Sequence, residues 1–95
     1  MSRILAIDYG SVRVGLAISD PLKIFSTPLK TIQNCSETSL INELQLVIES
    51  SDIELVLLGI PYNNEGNETT KTKEVLHFFS TLKANLTVPI ELWDE

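Results

Sequence analysis

The feature that most limits the possible folds is an N-terminal apolar run that ends at one acidic residue and a glycine. Asp8 directly follows the apolar run, Gly10 comes two residues later, and a second apolar run then begins. Two apolar runs joined by such a short glycine-containing segment predict adjacent strands over residues 3–8 and 12–19. We therefore expect a sheet whose first strand carries Asp8 at its end.

Asp8 carries the strongest chemical signal in this pattern. An ionised carboxylate beside an apolar strand is energetically costly unless a metal ion or backbone N–H groups compensate its charge. An Asp in a tight turn can also cap that turn through hydrogen bonds to nearby backbone N–H groups. The pattern by itself leaves both interpretations open.

The rest of the chain alternates between strand and helix patterns. Apolar residues at helical spacing predict two amphipathic helices, the first of them with Ser36 as its N-cap. The predicted elements are a strand at 24–27, a helix at 37–50, a strand at 55–60, a polar loop at 62–67, a helix at 68–85 and a strand at 89–93. This order predicts an α/β fold in which helices pack on a mixed sheet.

Composition narrows the class of protein. A chain of 95 residues with 43% hydrophobic content suits one small globular domain, so we expect residues 1–95 to form a single domain. The apolar stretches are too short to span a membrane, no signal-peptide pattern is present, and one cysteine excludes an intrachain disulfide. We therefore expect a cytoplasmic protein without a membrane partner.

The charge balance bears on nucleic-acid binding. A net charge of −6 opposes nonspecific attraction to a phosphate backbone. Binding to nucleic acid would therefore need bound cations, a basic partner chain or a basic segment elsewhere. Composition alone favours a small-molecule or protein ligand.

Acidic residues fall where the parallel strands of the predicted sheet end. Asp8 closes the first strand and Glu95 follows the last, and in a crossover sheet such ends share one edge. If the fourth strand lies between them, the two backbones are about 10 Å apart, a span that the two side chains and one Mg²⁺ can roughly cover. A two-metal hydrolytic site normally needs a third carboxylate. Neither Asp20 nor Asp94 is well placed to supply it.

Four short segments carry a more specific signal. They are Ile7–Gly10, Arg13–Pro21, Leu58–Asn63 with Gly66, and Trp93–Glu95. In this order they resemble the N-terminal two-thirds of YqgF/RuvX proteins, the ribonuclease H-like family of pre-ribosomal RNA nucleases once described as Holliday junction resolvases. The resemblance covers essentially the whole chain.

The resemblance implies a fold, an activity and a set of site residues. It implies a ribonuclease H-like mixed sheet with strand order 3-2-1-4-5 and flanking helices. It also implies a metal-dependent endonuclease, using Mg²⁺ or Mn²⁺, that processes the 5′ end of pre-16S rRNA, with structured RNA and ribosomal proteins as partners. Asp8 and Glu95 would be the catalytic, metal-binding carboxylates. Arg13 and the loop from Gly59 to Gly66 would border the substrate groove, with Asn63 and Asn64 of that loop as candidate substrate-binding residues.

The chain also departs from the family pattern. Family members continue past the D-E-R motif into helices that carry another catalytic Asp and several basic residues, whereas this chain stops before the Arg of that motif. We therefore expect an incomplete domain whose third carboxylate lies outside the chain and which is weakly active or inactive alone. Exposed sheet surface would also favour a homodimer.

Other readings of the same residues remain open. One alternative is a nuclease of the Holliday junction resolvase type, which acts on DNA. Another is the sugar-kinase and actin-like ATPase fold, which also begins with a strand–Asp–x–Gly turn. A third alternative is a noncatalytic ribosome-associated module in which Asp8 is structural. Arg13 could be an ordinary exposed strand residue, and Asn63 and Asn64 could serve only the turn. Trp93 is most simply a core residue, and the sequence does not favour it as a surface on which nucleic-acid bases stack.

Overall fold

The first two strands of the sheet are apolar along most of their length, yet only one face of each is fully buried. The computed structural model describes residues 3–10, 12–19, 26–33, 36–60 and 70–94. Strand β1 spans Arg3–Tyr9 and strand β2 spans Arg13–Ser19. Leu5 and Ile7 of β1 are buried, whereas Asp8 between Ile7 and Tyr9 is exposed. One face of this hairpin therefore enters the core and the other does not.

Three further strands complete a mixed five-stranded sheet. They are β3 (Ser26–Gln33), β4 (Ile53–Ile60) and β5 (Ile90–Asp94). The order across the sheet is β3-β2-β1-β4-β5, as predicted. Strand β1 runs antiparallel to β2 and parallel to β4, and β4 runs parallel to β5. The C-terminal ends of β1, β4 and β5 therefore lie at the same edge of the sheet.

Two helices cover one face of this sheet. Helix α1 spans Glu37–Ser50 and helix α2 spans Thr70–Asn85. Ser36 is the N-cap of α1, as predicted, and its hydroxyl accepts a hydrogen bond from the backbone N–H of Ser39 at 3.1 Å. Within the described ranges, no helix is both long and apolar enough to cross a membrane.

A single core joins the helices to the sheet. Leu44 of α1 and Phe78 of α2 are buried in one cluster with Leu5 of β1 and Val56 of β4. Along β1 and β4, the buried apolar residues alternate with residues on the face of the sheet that carries Asp8. Both helices therefore lie on the face opposite Asp8, and no described helix covers the face that carries Asp8.

The third strand differs from its prediction. The expected strand at 24–27 was wrong in extent, because β3 begins at Ser26 and continues to Gln33. It is an edge strand, and its pairing with β2 shifts register near Pro28, where a backbone donor is missing. Its sequence lacks strict apolar alternation because most of its described side chains are exposed.

The remaining boundaries agree closely with the sequence. Strand β5 is displaced by one residue from the predicted 89–93, and α2 ends at the predicted residue. The predicted loop at 62–67 and the first two residues of the predicted second helix lie outside the described residues.

Candidate active site

Asp8 lies at the C-terminal end of the central strand, on the face that the helices leave open. Its neighbours Ile7 and Tyr9 face the core, where the Tyr9 ring stacks on Phe78 of α2 with centroids 4.3 Å apart. This stack holds the end of β1 against α2. Since side chains alternate along a strand, Asp8 is held pointing away from the core.

Asp8 belongs to a row of residues that crosses all five strands on the open face. Gly15 pairs with Asp8 on one side and with Thr31 beyond it. The parallel register that pairs Ile7 with Leu58 puts Gly59 on the other side, and Gly59 pairs with Trp93. The carboxylate is thus flanked by two glycines, which carry no side chains to crowd it.

This row forms part of an open cleft of about 570 Å³. From this row the cleft continues along β1, β2 and β4, past Ala6, Ala17 and Leu57, away from the end of the sheet where β1 finishes. Its lining is mainly apolar and comes entirely from the five strands: Ala6, Ile7, Asp8, Gly15, Leu16, Ala17, Pro28, Leu29, Lys30, Thr31, Leu57, Gly59 and Trp93. Only Asp8 and Lys30 carry charge among these residues.

The cation in the cleft lining does not neutralise Asp8. The Nζ atom of Lys30 is 2.9 Å from Oε2 of Glu43 on α1, so this lysine is already paired. No hydrogen bond or ion pair joins the Asp8 side chain to another described residue. Asp8 is exposed, so solvent has access to its charged carboxylate. Because Asp8 is not buried, the energetic cost of burying an ionised carboxylate gives no reason to expect a metal ion at this position.

Arg13 shares the face and the edge of the sheet with Asp8. It is exposed at the start of β2, two residues before Gly15, the partner of Asp8. Alternation along β2 places Arg13 on the same face as Gly15. Among the basic residues that the structure describes, Arg13 is the best placed to contact an anionic group bound near Asp8.

Several predicted site residues lie outside the described part of the chain. Asn63, Asn64 and Glu95 are among them, and the backbone of Asp94 is described at the end of β5 without its side chain. The pairing of Asp8 with Glu95 therefore stays a prediction. The described residues contain no cluster of three or more His, Cys, Asp or Glu side chains that could hold a metal ion.

Trp93 is a site candidate that the sequence prediction missed. We expected it in the core, but 59% of its surface is exposed and it lines the cleft in the same row as Asp8. A large aromatic side chain in a predicted strand favoured burial. The missed signal is alternation, since Leu92 packs against the core and its neighbour Trp93 must face the other way.

Comparison with solved structures identifies the fold. The chain superposes on Thermus thermophilus RuvC in complex with a Holliday junction substrate with a TM-score of 0.68 at 15% identity, covering 99% of this chain and 65% of that one. It also matches YeaZ from Pseudomonas aeruginosa with a TM-score of 0.55 at 12% identity, covering 100% of this chain and 44% of that one. These likenesses confirm the ribonuclease H-like sheet and leave the activity open.

Sequence comparison is more specific than the shared fold. A family model described as "RuvX: Holliday junction resolvase" matches residues 2–95. Relatives named "Putative pre-16S rRNA nuclease" from Maridesulfovibrio salexigens and Clostridium acetobutylicum are each 37% identical over 98% of this chain and 69% of their own length. A Koribacter versatilis relative of the same name is 34% identical, and the chain spans 61% of it. The chain belongs to the RuvX family.

Proposed function

We propose that this chain carries part of the active site of a metal-dependent endonuclease that processes the 5′ end of pre-16S rRNA. The observation that carries the proposal is an exposed carboxylate at the end of the central strand, unpaired with any described residue and open to a cleft. Family membership supports a nuclease, and the names of the curated relatives support ribosomal RNA as substrate.

The chemistry of Asp8 suits a hard divalent cation. Mg²⁺ prefers oxygen ligands and usually keeps several of its waters, so it is commonly held by only one or two carboxylates. Asp8 offers such an oxygen ligand, and its glycine neighbours leave space beside it. We propose that Glu95 completes the protein ligands in this chain. When bound, Mg²⁺ or Mn²⁺ would activate water and stabilise charge on the reacting phosphate.

The chain's own residues would bind and orient the substrate. Arg13, on the same face and edge as Asp8, would donate hydrogen bonds to a phosphate next to the cleaved bond. Asn63 and Asn64 would border the groove beyond β4. A third carboxylate would come from outside this chain, which spans 61–69% of the length of the relatives described above.

Two other functions have some support. A DNA junction resolvase is favoured by the description of the family model and by the RuvC complex. A noncatalytic module that binds a basic ribosomal protein is favoured by the net charge of −6. We favour the RNA nuclease because the sequence relatives are much closer to this chain than RuvC is.

Substitution of the central carboxylate tests this proposal. Asp8→Asn keeps the size of the side chain but removes the charged ligand, so we expect Mn²⁺ affinity to fall at least roughly tenfold in a calorimetric titration. Glu49→Gln is the matched control, since it removes one exposed negative charge on α1. Equal Mn²⁺ affinity for the wild-type and Asp8→Asn chains would contradict a metal site at Asp8.

Cleavage assays separate the candidate functions. Using the complete gene product, we expect Mn²⁺-dependent cutting of an RNA spanning the 5′ end of pre-16S rRNA, and no detectable cutting by Asp8→Asn. Preferential cutting of a four-way DNA junction would favour the resolvase instead. Binding to a basic ribosomal protein, without cutting of either nucleic acid, would favour the noncatalytic module.

A further inference from the structure

The exposed indole of Trp93 has no structural role that the described residues account for. It lies on β5 with 59% of its surface exposed, while its neighbour Leu92 packs against the core. Within the described ranges, no aromatic ring stacks on it and no cation lies over it. A large aromatic surface open to solvent beside a candidate active site is typical of a binding surface.

The position of Trp93 relative to Asp8 indicates what could bind there. Gly59 lies between them in the row, so the two side chains are separated by two strand spacings, about 10 Å, with no side chain between them. Ala6 and Leu57 continue the apolar lining from this gap. A flat, mostly apolar group attached to an anionic group would meet an indole at one end and the Asp8 site at the other.

A nucleotide has this arrangement of groups. Its phosphate would lie by the metal-bound Asp8 and Arg13, and its base would extend across Gly59 to the indole. A base within a duplex already stacks on both of its neighbours, so an indole at the wall of a cleft gains its contact from an unpaired base. Stacking of this kind tolerates any base, since each has a flat aromatic face.

We propose that Trp93 binds the base of an unpaired nucleotide adjacent to the cleaved phosphodiester, so that the enzyme requires single-stranded nucleic acid at that point. The inference rests on the proposed nuclease function and adds the local structure that the substrate must present. Trp93 acts as a binding residue whose indole contacts the substrate directly. A segment of a longer chain or a second copy resting on the indole is the competing arrangement.

The chain reports on this contact directly because Trp93 is its only tryptophan. We expect a short oligouridylate, added in Ca²⁺, to quench the intrinsic fluorescence in a saturable way. An abasic oligonucleotide of equal length and charge should bind more weakly and leave the emission unchanged. The comparison separates stacking on a base from attraction to phosphates.

Variants at this position test the contribution of the indole to affinity. With labelled oligouridylate and an anisotropy readout, Trp93→Leu should weaken binding roughly tenfold, whereas Trp93→Phe should restore most of it because it keeps an aromatic face. Leu46→Ala is the matched control, since Leu46 is 62% exposed on α1, away from the cleft. A duplex of the same sequence should bind more weakly than the single strand.

Three results would overturn the proposal. One is binding of oligouridylate without any change in Trp93 emission, and another is unchanged affinity of Trp93→Leu. The third is a Trp93 emission spectrum that is typical of a buried indole before RNA is added and does not change when RNA is added. That result would show that a protein segment or a second copy of the chain covers Trp93. If oligouridylate quenches Trp93 but Asp8→Asn binds Mn²⁺ as well as the wild-type chain does, the proposed metal site at Asp8 is rejected. The contact between Trp93 and a base is then retained.

Discussion

At the scale of single residues, the turn after Asp8 shows how sterics constrain the candidate site. A Cβ atom built on Gly10 would lie 2.3 Å from the carbonyl oxygen of Arg13, far inside van der Waals contact. The obstacle is backbone, which cannot rotate away as a flexible side chain can. Glycine is therefore needed here because two backbone segments approach closely, and this approach closes the turn between Asp8 and Arg13.

The same geometry predicts the effect of adding one methyl group. We expect Gly10→Ala to lower the free energy of unfolding by about 1–3 kcal/mol, measured by urea denaturation, because the hairpin must open to admit the Cβ. Gly15→Ala is the matched control, since its Cβ would lie 3.8 Å from Cβ of Asp8, an ordinary contact. Equal stability of the two variants would contradict the close approach at Gly10.

At the scale of secondary-structure elements, helix α1 begins directly after its N-cap residue, Ser36. The Ser36 hydroxyl accepts from the Ser39 N–H, which would otherwise lack a partner in the first turn. We expect Ser36→Ala to reduce the free energy of unfolding by about 1 kcal/mol in urea titrations followed by circular dichroism. Ser39→Ala keeps the backbone donor and should change stability little, so a comparable loss there would argue against the cap.

Strand β3 shows a limit of pattern analysis at this scale. As an edge strand it has neighbours on one side only, and exposed residues such as Pro28 and Lys30 interrupt the apolar alternation that marks the inner strands. Its extent is set by hydrogen bonds to β2 over Arg13–Ser19. Such pairing joins residues far apart in sequence, so a local window underestimates the strand.

At the scale of the whole molecule, one continuous core makes the helices and the sheet a single cooperative unit. Leu44 of α1 is fully buried within the cluster that includes Phe78 and Leu58. A domain of this size typically has a total stability of about 5–15 kcal/mol, so loss of one core contact affects the whole fold. Removing this side chain should therefore destabilise all elements together.

We expect Leu44→Ala to reduce the free energy of unfolding by about 2–5 kcal/mol, because it leaves a cavity between helix and sheet. Helical circular dichroism and Trp93 emission from β5 should change in one coincident transition. Leu46→Ala, on the exposed side of the same helix, should be nearly neutral. Separate transitions for the two probes would show that α1 and the sheet unfold independently.

The sequence by itself determined the elements whose apolar residues follow a local pattern, and it predicted Asp8 as the residue most suited to chemistry, a role that stays a prediction. Asp8 at the end of β1, the capped helix α1 and the buried strand β4 all follow from spacing that a short window contains. The strand order and the family were predicted from four motifs, and both are confirmed. The pairing of Asp8 with Glu95 stays a prediction.

Only the tertiary structure decided which face of the sheet is covered. Both helices pack on one side, which exposes Trp93 and lines it up with Asp8 across the intervening Gly59. Apolar composition could not reveal this, because Trp93 has the same hydrophobic character whether a helix covers it or solvent does. Burial on a sheet depends on elements distant in sequence, and that is the physical reason why the cleft became visible only in three dimensions.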